Sequence, residues 1–141
     1  MPFVSLTRLR IRSVRFLPMF VVHMLASLRQ VKRAVGFRHG ALLADRNWTF
    51  WTMTAWDDQE SMRGYMTTAS HKSAMTHLLD WCDEASVAHW MQSEETLPSW
   101  TDADKRMRTS GRASKVRYPS RQHADLTYDV LRTTRGAIIR R

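Results

Sequence analysis

Six histidines are the residues of this sequence best suited to proton transfer or metal binding, at positions 23, 39, 71, 77, 89 and 123. Their spacing gives neither a His-x3-His pair nor a His-x-x-Glu pair with a third ligand in reach, so no metal site is predicted. His71 follows an expected helix break, and His89 lies in an apolar strand, where an imidazole can act as acid or base near neutral pH. His71 and His89 are therefore candidate catalytic residues. The structural alternatives are a surface or capping His71 and a hydrogen-bonded core His89.

Arg8 is the candidate for binding a charged part of a substrate. It shares one face of a predicted strand with Val4 and Leu6, and an arginine buried on that face would need an anionic partner. A substrate carboxylate would serve, and so would the side chain of Asp83 or Glu84. The structural alternative is a solvated strand end, at which the arginine reaches water along its aliphatic stem.

Trp51, Met53 and Trp90 are the candidates for binding the apolar part of a substrate. They lie in two predicted strands, 48–56 and 84–92, which are rich in Trp, Met, Thr and Ala. Large aromatic and thioether side chains can line a pocket for a flat or polyene molecule, and they also fill ordinary cores. The residue types leave both interpretations open.

The single cysteine, Cys82, excludes an internal disulfide and a cysteine-rich zinc module, a pattern typical of a cytosolic protein. The neighbouring Asp83 would raise the pKa of its thiol, so we do not expect a nucleophile. The sequence contains no Gly-rich phosphate loop, no Gly-x-Ser-x-Gly motif and no dinucleotide fingerprint. Kinase, P-loop, Rossmann and serine hydrolase functions are therefore excluded.

The chain is basic, with 22 Lys and Arg against 13 Asp and Glu and a formal charge of +9. The excess is greatest in residues 1–46, which hold nine basic residues and one acid. No helix-turn-helix, zinc or RNA-binding signature accompanies these residues, so nucleic-acid binding is not favoured. The apolar run at 16–28 is too short for a membrane span, and we expect none.

Hydrophobic periodicity predicts four strands and two helices. The strands are expected at 3–11, 37–44, 48–56 and 84–92, and the helices at 17–35 and from 57 onward, with a break near 68–70. The order β-α-β-β-α-β is that of the ferredoxin-like fold. Residues 3–92 are therefore expected to form one α+β domain.

Residues 93–141 are expected to form a basic C-terminal extension. Ser99 or Thr101 is suited to cap a short helix at about 101–110, which Gly111 would end. From residue 112 onward apolar periodicity is weak. This part is predicted to be largely irregular, with a frayed end at 137–141.

The strands at 48–56 and 84–92 are apolar on both faces. An antiparallel sheet with helices on one side and water on the other should alternate apolar and polar residues instead. Some further element must therefore cover the second face. A second copy of the same sheet would do so, and the sequence thus predicts a homodimer.

The segment FWTMTAWDDQESMRGYMTTASHKSAMTHLLDWCDEASVAHW, residues 50–90, resembles the dimeric α+β barrel superfamily, which includes the antibiotic-biosynthesis-type monooxygenases. This resemblance covers residues 3–92. The runs FVSLTRLRIRSVRFLPMF and LLDWCDEASVAHW are more similar to an uncharacterised bacterial family related to spheroidene monooxygenase, to about residue 120. The resemblance implies a ferredoxin-like protomer that dimerises into an α+β barrel, with an apolar pocket between sheet and helices.

The resemblance leaves two chemical routes open. Spheroidene monooxygenase is associated with haem, and haem-degrading members of the superfamily use a histidine on helix 2, at a position that corresponds to Met75 here, one turn after His71. Quinone oxygenases of the superfamily need no cofactor. The expected function is monooxygenase-like oxidation of an apolar or aromatic small molecule by a cytoplasmic protein. The alternatives are a non-catalytic ligand-binding or structural dimer of the same fold and, second, a nucleic-acid-associated protein that uses the basic tail.

Overall fold

The computed structural model describes residues 1–67, 69–128 and 137–140, without the side chains of residues 69–74 and 137. In this part of the chain one antiparallel sheet carries four helices, in the order β1 Phe3–Ile11, α1 Leu17–Arg33, β2 Phe37–Asp45, β3 Thr49–Trp56, α2 Gln59–Met66, α3 Ala69–Trp81, β4 Cys82–Met91, α4 Trp100–Ser110, β5 Arg112–Ala113 and β6 Ala137–Arg140. The strand order is β5-β4-β1-β3-β2-β6. The predicted α+β class and ferredoxin-like order are confirmed.

The helices begin and end where local chemistry favours it. Pro18 occupies the first turn of α1, where a missing N–H is tolerated, and two cations lie in the last turn. Asp58 caps α2 by accepting a hydrogen bond from the Ser61 N–H at 2.7 Å. Gly36, between α1 and β2, has a φ of +83°, and a Cβ there would lie 2.2 Å from the Ser61 hydroxyl oxygen. Only glycine fits this connection between α1 and β2, because it packs closely against α2.

The sheet is covered on both faces by the chain itself. One face packs under α1, α2 and α3, with a cluster around Phe37, Trp56 and Met62 at one end. The other face packs against α4 and Tyr128 in a second cluster, which contains Leu6, Trp51, Met53, Trp100, Ala103 and Met107. Both faces of the strands are apolar because each contacts a different element of this chain.

This packing removes the argument that led to a homodimer. The sequence correctly indicated that the second sheet face is covered, but α4 covers it here, with Ala103 and Met107 at 0% exposure. Ser99 caps α4 by accepting a hydrogen bond from the Asp102 N–H at 3.2 Å, one of the two caps that the sequence predicted. The homodimer therefore stays a prediction without the support of an open sheet face.

The expectation of a frayed C-terminus is wrong for Ala137–Arg140. These residues form β6, which pairs antiparallel with β2 in a register that places Ile139 beside Gly40. Ile139 is 4% exposed and joins the cluster of Phe37 and Trp56. Burial of this side chain, together with the backbone hydrogen bonds of an edge strand, holds the segment in place. Arg141 lies outside the described residues.

Candidate functional site

A cavity of about 840 Å³ lies between the helix-covered face of the sheet and helices α1, α2 and α3. Its volume is within the usual range for small-molecule sites. The floor is formed by strands β1 to β4, the walls by the helices, and one edge by residues 114–116. Its lining is mainly aliphatic, aromatic and thioether side chains, including Phe20, Met24, Phe50, Trp56, Met62 and Met66.

Four hydroxyl-bearing residues lie together on the cavity floor. The pairing of β1 with β3 sets Ser5 beside Thr54 and Thr7 beside Thr52, so that the four side chains share one face. The Thr54 hydroxyl accepts a hydrogen bond from Trp56 Nε1 at 2.9 Å. The hydroxyls of Ser5, Thr7 and Thr52 have no side-chain hydrogen-bond partner among the described residues, and can therefore bind oxygen or nitrogen atoms of a ligand.

His23 provides the one imidazole among the described side chains that border the cavity. It lies on α1, and its ring centroid is 5.2 Å from that of His77 and 5.3 Å from that of Trp81, both on α3. His77 in turn stacks on Trp81 at 5.0 Å, with 12° between the ring planes. These contacts fix the orientation of the His23 ring across two helices.

Sequence reasoning missed His23 as a site residue. It treated this residue as a polar interruption of an apolar run, whereas the helix places it on the cavity side with Phe20 and Met24. The signal was available in the spacing: position 23 lies three residues after Phe20 and one before Met24, on the inward stripe of α1.

Tyr65 and Lys115 are the other polar side chains of interest at the cavity. Burial raises the pKa of Tyr65 above its ordinary value, and its hydroxyl donates a hydrogen bond to the Ser27 carbonyl oxygen at 3.1 Å. Lys115 is exposed, and the described lining residues include no other Lys and no Arg, Asp or Glu. The Ser114 N–H holds this edge by donating to the Ala85 carbonyl oxygen at 2.8 Å.

The structure separates the predicted site residues from one another. Arg8, Met53 and Trp90 lie on the α4-covered face of the sheet, opposite the cavity. Trp51 packs against Trp100 and Tyr128 on that same face and also borders the cavity. A substrate-binding role for Arg8, Met53 and Trp90 is therefore not supported by their placement.

Arg8 is paired inside the protein. It is 4% exposed, its Nη1 lies 2.6 Å from Glu84 Oε1, and its guanidinium lies 3.8 Å from the centre of the Tyr128 ring. Burial alone would raise the pKa of Glu84, but hydrogen bonds from Arg8 and Ser120 and the charge of Arg10 bring this pKa below its ordinary value. Glu84, one of the anionic partners that the sequence offered, is thus the partner of Arg8.

The two predicted catalytic histidines are not brought together at the cavity. His89 lies on β4 with its ring 5.6 Å from Phe3, and it does not border the cavity. Burial, aided by the charges of Arg112 and Arg63, lowers the pKa of His89 and disfavours its charged form. His71 belongs to α3, and its side chain lies outside the described residues.

Cys82 is fully buried at the start of β4. Burial and then the charge of Asp83 raise the pKa of its thiol to about 12, so it is a structural residue. Within the described residues, no three His, Cys, Asp or Glu side chains are placed to hold a metal ion. In the same part of the chain, none of the helices has the length and apolar character needed to cross a membrane.

The βαββαβ order of elements, with a cavity between sheet and helices, defines the class of this protein. It has the ferredoxin-like α+β fold of the antibiotic biosynthesis monooxygenases. Residues 20–115 match the family described as domain of unknown function DUF3291, and the chain belongs to this family. The predicted resemblance to the superfamily is thereby confirmed, whereas the narrower resemblance to relatives of spheroidene monooxygenase stays a prediction.

Several solved structures share the fold at low sequence identity. A protein of Nitrosomonas europaea assigned as an antibiotic biosynthesis monooxygenase is 14% identical, with a TM-score of 0.60 over 68% of this chain and 94% of that one. SnoaB, a cofactor-independent oxygenase from Streptomyces nogalater, is 18% identical, with a TM-score of 0.54 over 69% and 97%. A conserved protein from Methanosarcina mazei Go1 is 9% identical, with a TM-score of 0.59 over 66% and 94%. Comparison with curated proteins gives no match.

Proposed function

We propose that this protein is a monooxygenase-like enzyme that oxidises an apolar or aromatic small molecule in the cavity between the sheet and helices α1–α3. The observation that carries the proposal is the combination of an apolar cavity of about 840 Å³, one oriented imidazole among the described lining residues, and a floor on which the hydroxyls of Ser5, Thr7 and Thr52 have no side-chain partner. Such a site binds a flat apolar body by contact and its few polar atoms by hydrogen bonds. His23 is the candidate base at this cavity, whereas His71, whose side chain lies outside the described residues, stays a predicted catalytic residue.

The chemistry that these residues support starts with a proton transfer. The imidazole of His23 accepts a proton from an acidic CH2 group of the substrate, while Thr7 and Thr52 hydrogen-bond its oxygen atoms. The carbanion gives one electron to O2, and recombination of the two radicals forms a C–O bond. Loss of water from the resulting peroxide leaves a carbonyl group. One CH2 and one O2 thus give one C=O and one H2O, and no external reductant is needed.

Haem, the cofactor suggested by the family resemblance, does not fit the described lining. The residue at the corresponding ligand position, Met75, borders the cavity but is 43% exposed. The ring of His23 already packs against two other rings, and Lys115 offers the single cation for the haem propionates. Titration of the purified protein with haem is therefore expected to give no absorbance band at about 400 nm.

The proposal is tested with a hydroxyanthrone, a flat three-ring phenol whose central CH2 is acidic. We expect the purified protein to consume one O2 per molecule of anthrone and to produce the corresponding quinone, followed by its visible absorbance. His23→Gln is expected to lower kcat by about 100-fold, because a general base contributes about that factor or more. His39→Gln, a matched change at a histidine that does not border the cavity, is expected to leave kcat unchanged.

The non-catalytic alternative predicts a different result. Binding of the anthrone, seen by quenching of tryptophan fluorescence but without O2 uptake above the uncatalysed rate, would identify a ligand-binding protein of the same fold. An equal loss of activity in His23→Gln and His39→Gln would contradict the assignment of His23 as the base.

A further inference from the structure

We propose that the outer face of α1 docks on an anionic lipid surface. This docking face consists of three exposed apolar side chains, Met19, Val22 and Leu25, and of the cations that surround them, Arg15, Arg29, Lys32 and Arg33. The proposal concerns the side of α1 that points away from the cavity. It holds whether or not the cavity carries out oxidation.

The apolar part of the docking face is continuous. Met19, Val22 and Leu25 follow one another at intervals of three residues, which places them on one side of the helix, and they are 52%, 57% and 52% exposed. Single exposed apolar residues are ordinary on protein surfaces, but a row of three on one helix is typical of an interaction surface. An amphipathic helix inserts a row of this kind to the depth of the lipid headgroups.

The charged part of the docking face fits an anionic surface. Arg15 precedes the apolar row and Arg29, Lys32 and Arg33 follow it, all four exposed. Residues 1–44 contain no Asp or Glu. None of these four cations has an ion-pair partner within the described part of the chain, so they are free to bind lipid phosphates. Each cation close to an anionic membrane surface adds to the attraction.

A second copy of this chain is a poorer occupant of the docking face. Two copies whose α1 helices pack antiparallel about a two-fold axis would bring Arg15 of one helix towards Arg29 and Lys32 of the other, with no acid on α1 to compensate. Like charges placed opposite each other oppose association. The face also lacks Trp, Tyr and Phe, the residues enriched in the core of protein interfaces.

Docking on this face would place the cavity beside the membrane. The inner side of the same helix contributes Phe20, His23 and Met24 to the cavity lining. An apolar ligand dissolved in the bilayer would then enter past α1 with little exposure to water. The surface thus fits a protein that takes its ligand from lipid or delivers its product there.

The test is sedimentation of the full chain with sonicated vesicles. One set is pure phosphatidylcholine, and the other contains about 30 mol % phosphatidylglycerol to give an anionic surface. We expect binding to the anionic vesicles at low ionic strength, weaker binding as salt is added, and little binding to the neutral ones. Val22→Glu/Leu25→Glu is expected to lower the partition coefficient into the anionic vesicles at least about tenfold. It removes two inserted apolar side chains and adds two negative charges, which the anionic lipids repel.

A matched control separates the docking face from general electrostatic attraction. Met91→Glu/Ile138→Glu introduces the same two charges at apolar side chains that are 51% and 69% exposed elsewhere on the protein, and we expect it to retain most of the binding. Circular dichroism shows whether both variants are folded. Equal binding to the two vesicle types would overturn the proposal, and so would equal losses in the two variants. A dimer in light scattering that only Val22→Glu/Leu25→Glu dissociates would assign the face to a second copy instead.

Discussion

At the scale of single residues, the protein keeps its buried charges and its candidate base on opposite faces of the sheet. Arg8 and Glu84 are 4% and 2% exposed and pair beneath α4, whereas His23 and the floor hydroxyls face the cavity. A buried ion pair is costly to form but costlier to break, because the remaining charge has no partner. The pair therefore fixes the position of the C-terminal segment through Ser120, which donates a hydrogen bond to Glu84 at 2.9 Å.

Glu84→Gln is expected to lower the free energy of unfolding by about 3–5 kcal/mol at neutral pH, since it leaves the guanidinium of Arg8 buried without a charge partner. The pKa of Glu84 is below its unfolded value of 4.5, so its stabilising effect is present above about pH 4.5 and is lost as the pH falls through the folded pKa. The loss caused by Glu84→Gln should therefore shrink in acid. Urea unfolding between about pH 3 and pH 7 measures both effects.

Glu94→Gln is the control for that measurement, because Glu94 is exposed. It is expected to change the free energy of unfolding by no more than about 0.5 kcal/mol. A cost of Glu84→Gln that stays constant down to about pH 3 would contradict the assigned direction of the pKa change.

The same residue scale shows what the sequence could and could not predict about the site. The sequence did offer Asp83 or Glu84 as a partner for Arg8, because an arginine buried among apolar neighbours on a strand needs an anionic partner. His23 was missed because its spacing, which places it on the inward stripe of α1, does not by itself distinguish a histidine beside a cavity from one in an ordinary core. The residue gained significance only from the position of α3, which places His77 and Trp81 against it.

At the scale of elements, the sequence predicted correctly the boundaries that are set by short-range features such as strand alternation and helix caps. Strand β1 was predicted at 3–11 and lies at Phe3–Ile11, and α4 begins one residue after its cap, Ser99. Strand β6 was missed, because AIIR has no turn signal or long alternation of its own. Its stability comes from pairing with β2 and from burial of Ile139, which are tertiary contacts that a window of sequence does not contain.

The two neighbouring isoleucines of β6 test that explanation. Ile139 is 4% exposed and Ile138 is 69% exposed, so the same substitution meets two different environments. Ile139→Asp is expected to lower the free energy of unfolding by about 3 kcal/mol or more, because a carboxylate would be buried without a partner. Ile138→Asp is expected to change it by no more than about 0.5 kcal/mol. Thermal or urea unfolding measures the difference, and equal effects would mean that β6 is not part of the folded sheet.

At the scale of the whole molecule, the sequence contained the correct statement that both sheet faces are covered. It did not show which element covers the second face of the sheet. Alternating apolar residues on two faces require a partner layer, and the physical driving force is the same whether that layer comes from a second copy or from the chain itself. The apolar spacing of Trp100, Ala103 and Met107 on α4 marks the helix as amphipathic, and the structure shows that this stripe packs on Trp51 and Met53.

A chain that ends at residue 98 lacks α4, and its sheet face would expose Leu6, Trp51 and Met53. Since large apolar patches drive association, we expect this shortened chain to form dimers or larger assemblies. A chain that ends at residue 128 keeps α4 and Tyr128 and loses only β6 among the described elements, and it should keep the oligomeric state of the full chain. Light scattering of the three proteins measures the masses, and circular dichroism shows whether each is folded. If chain 1–98 is folded and monomeric, then α4 is not what prevents two copies from associating through this face of the sheet.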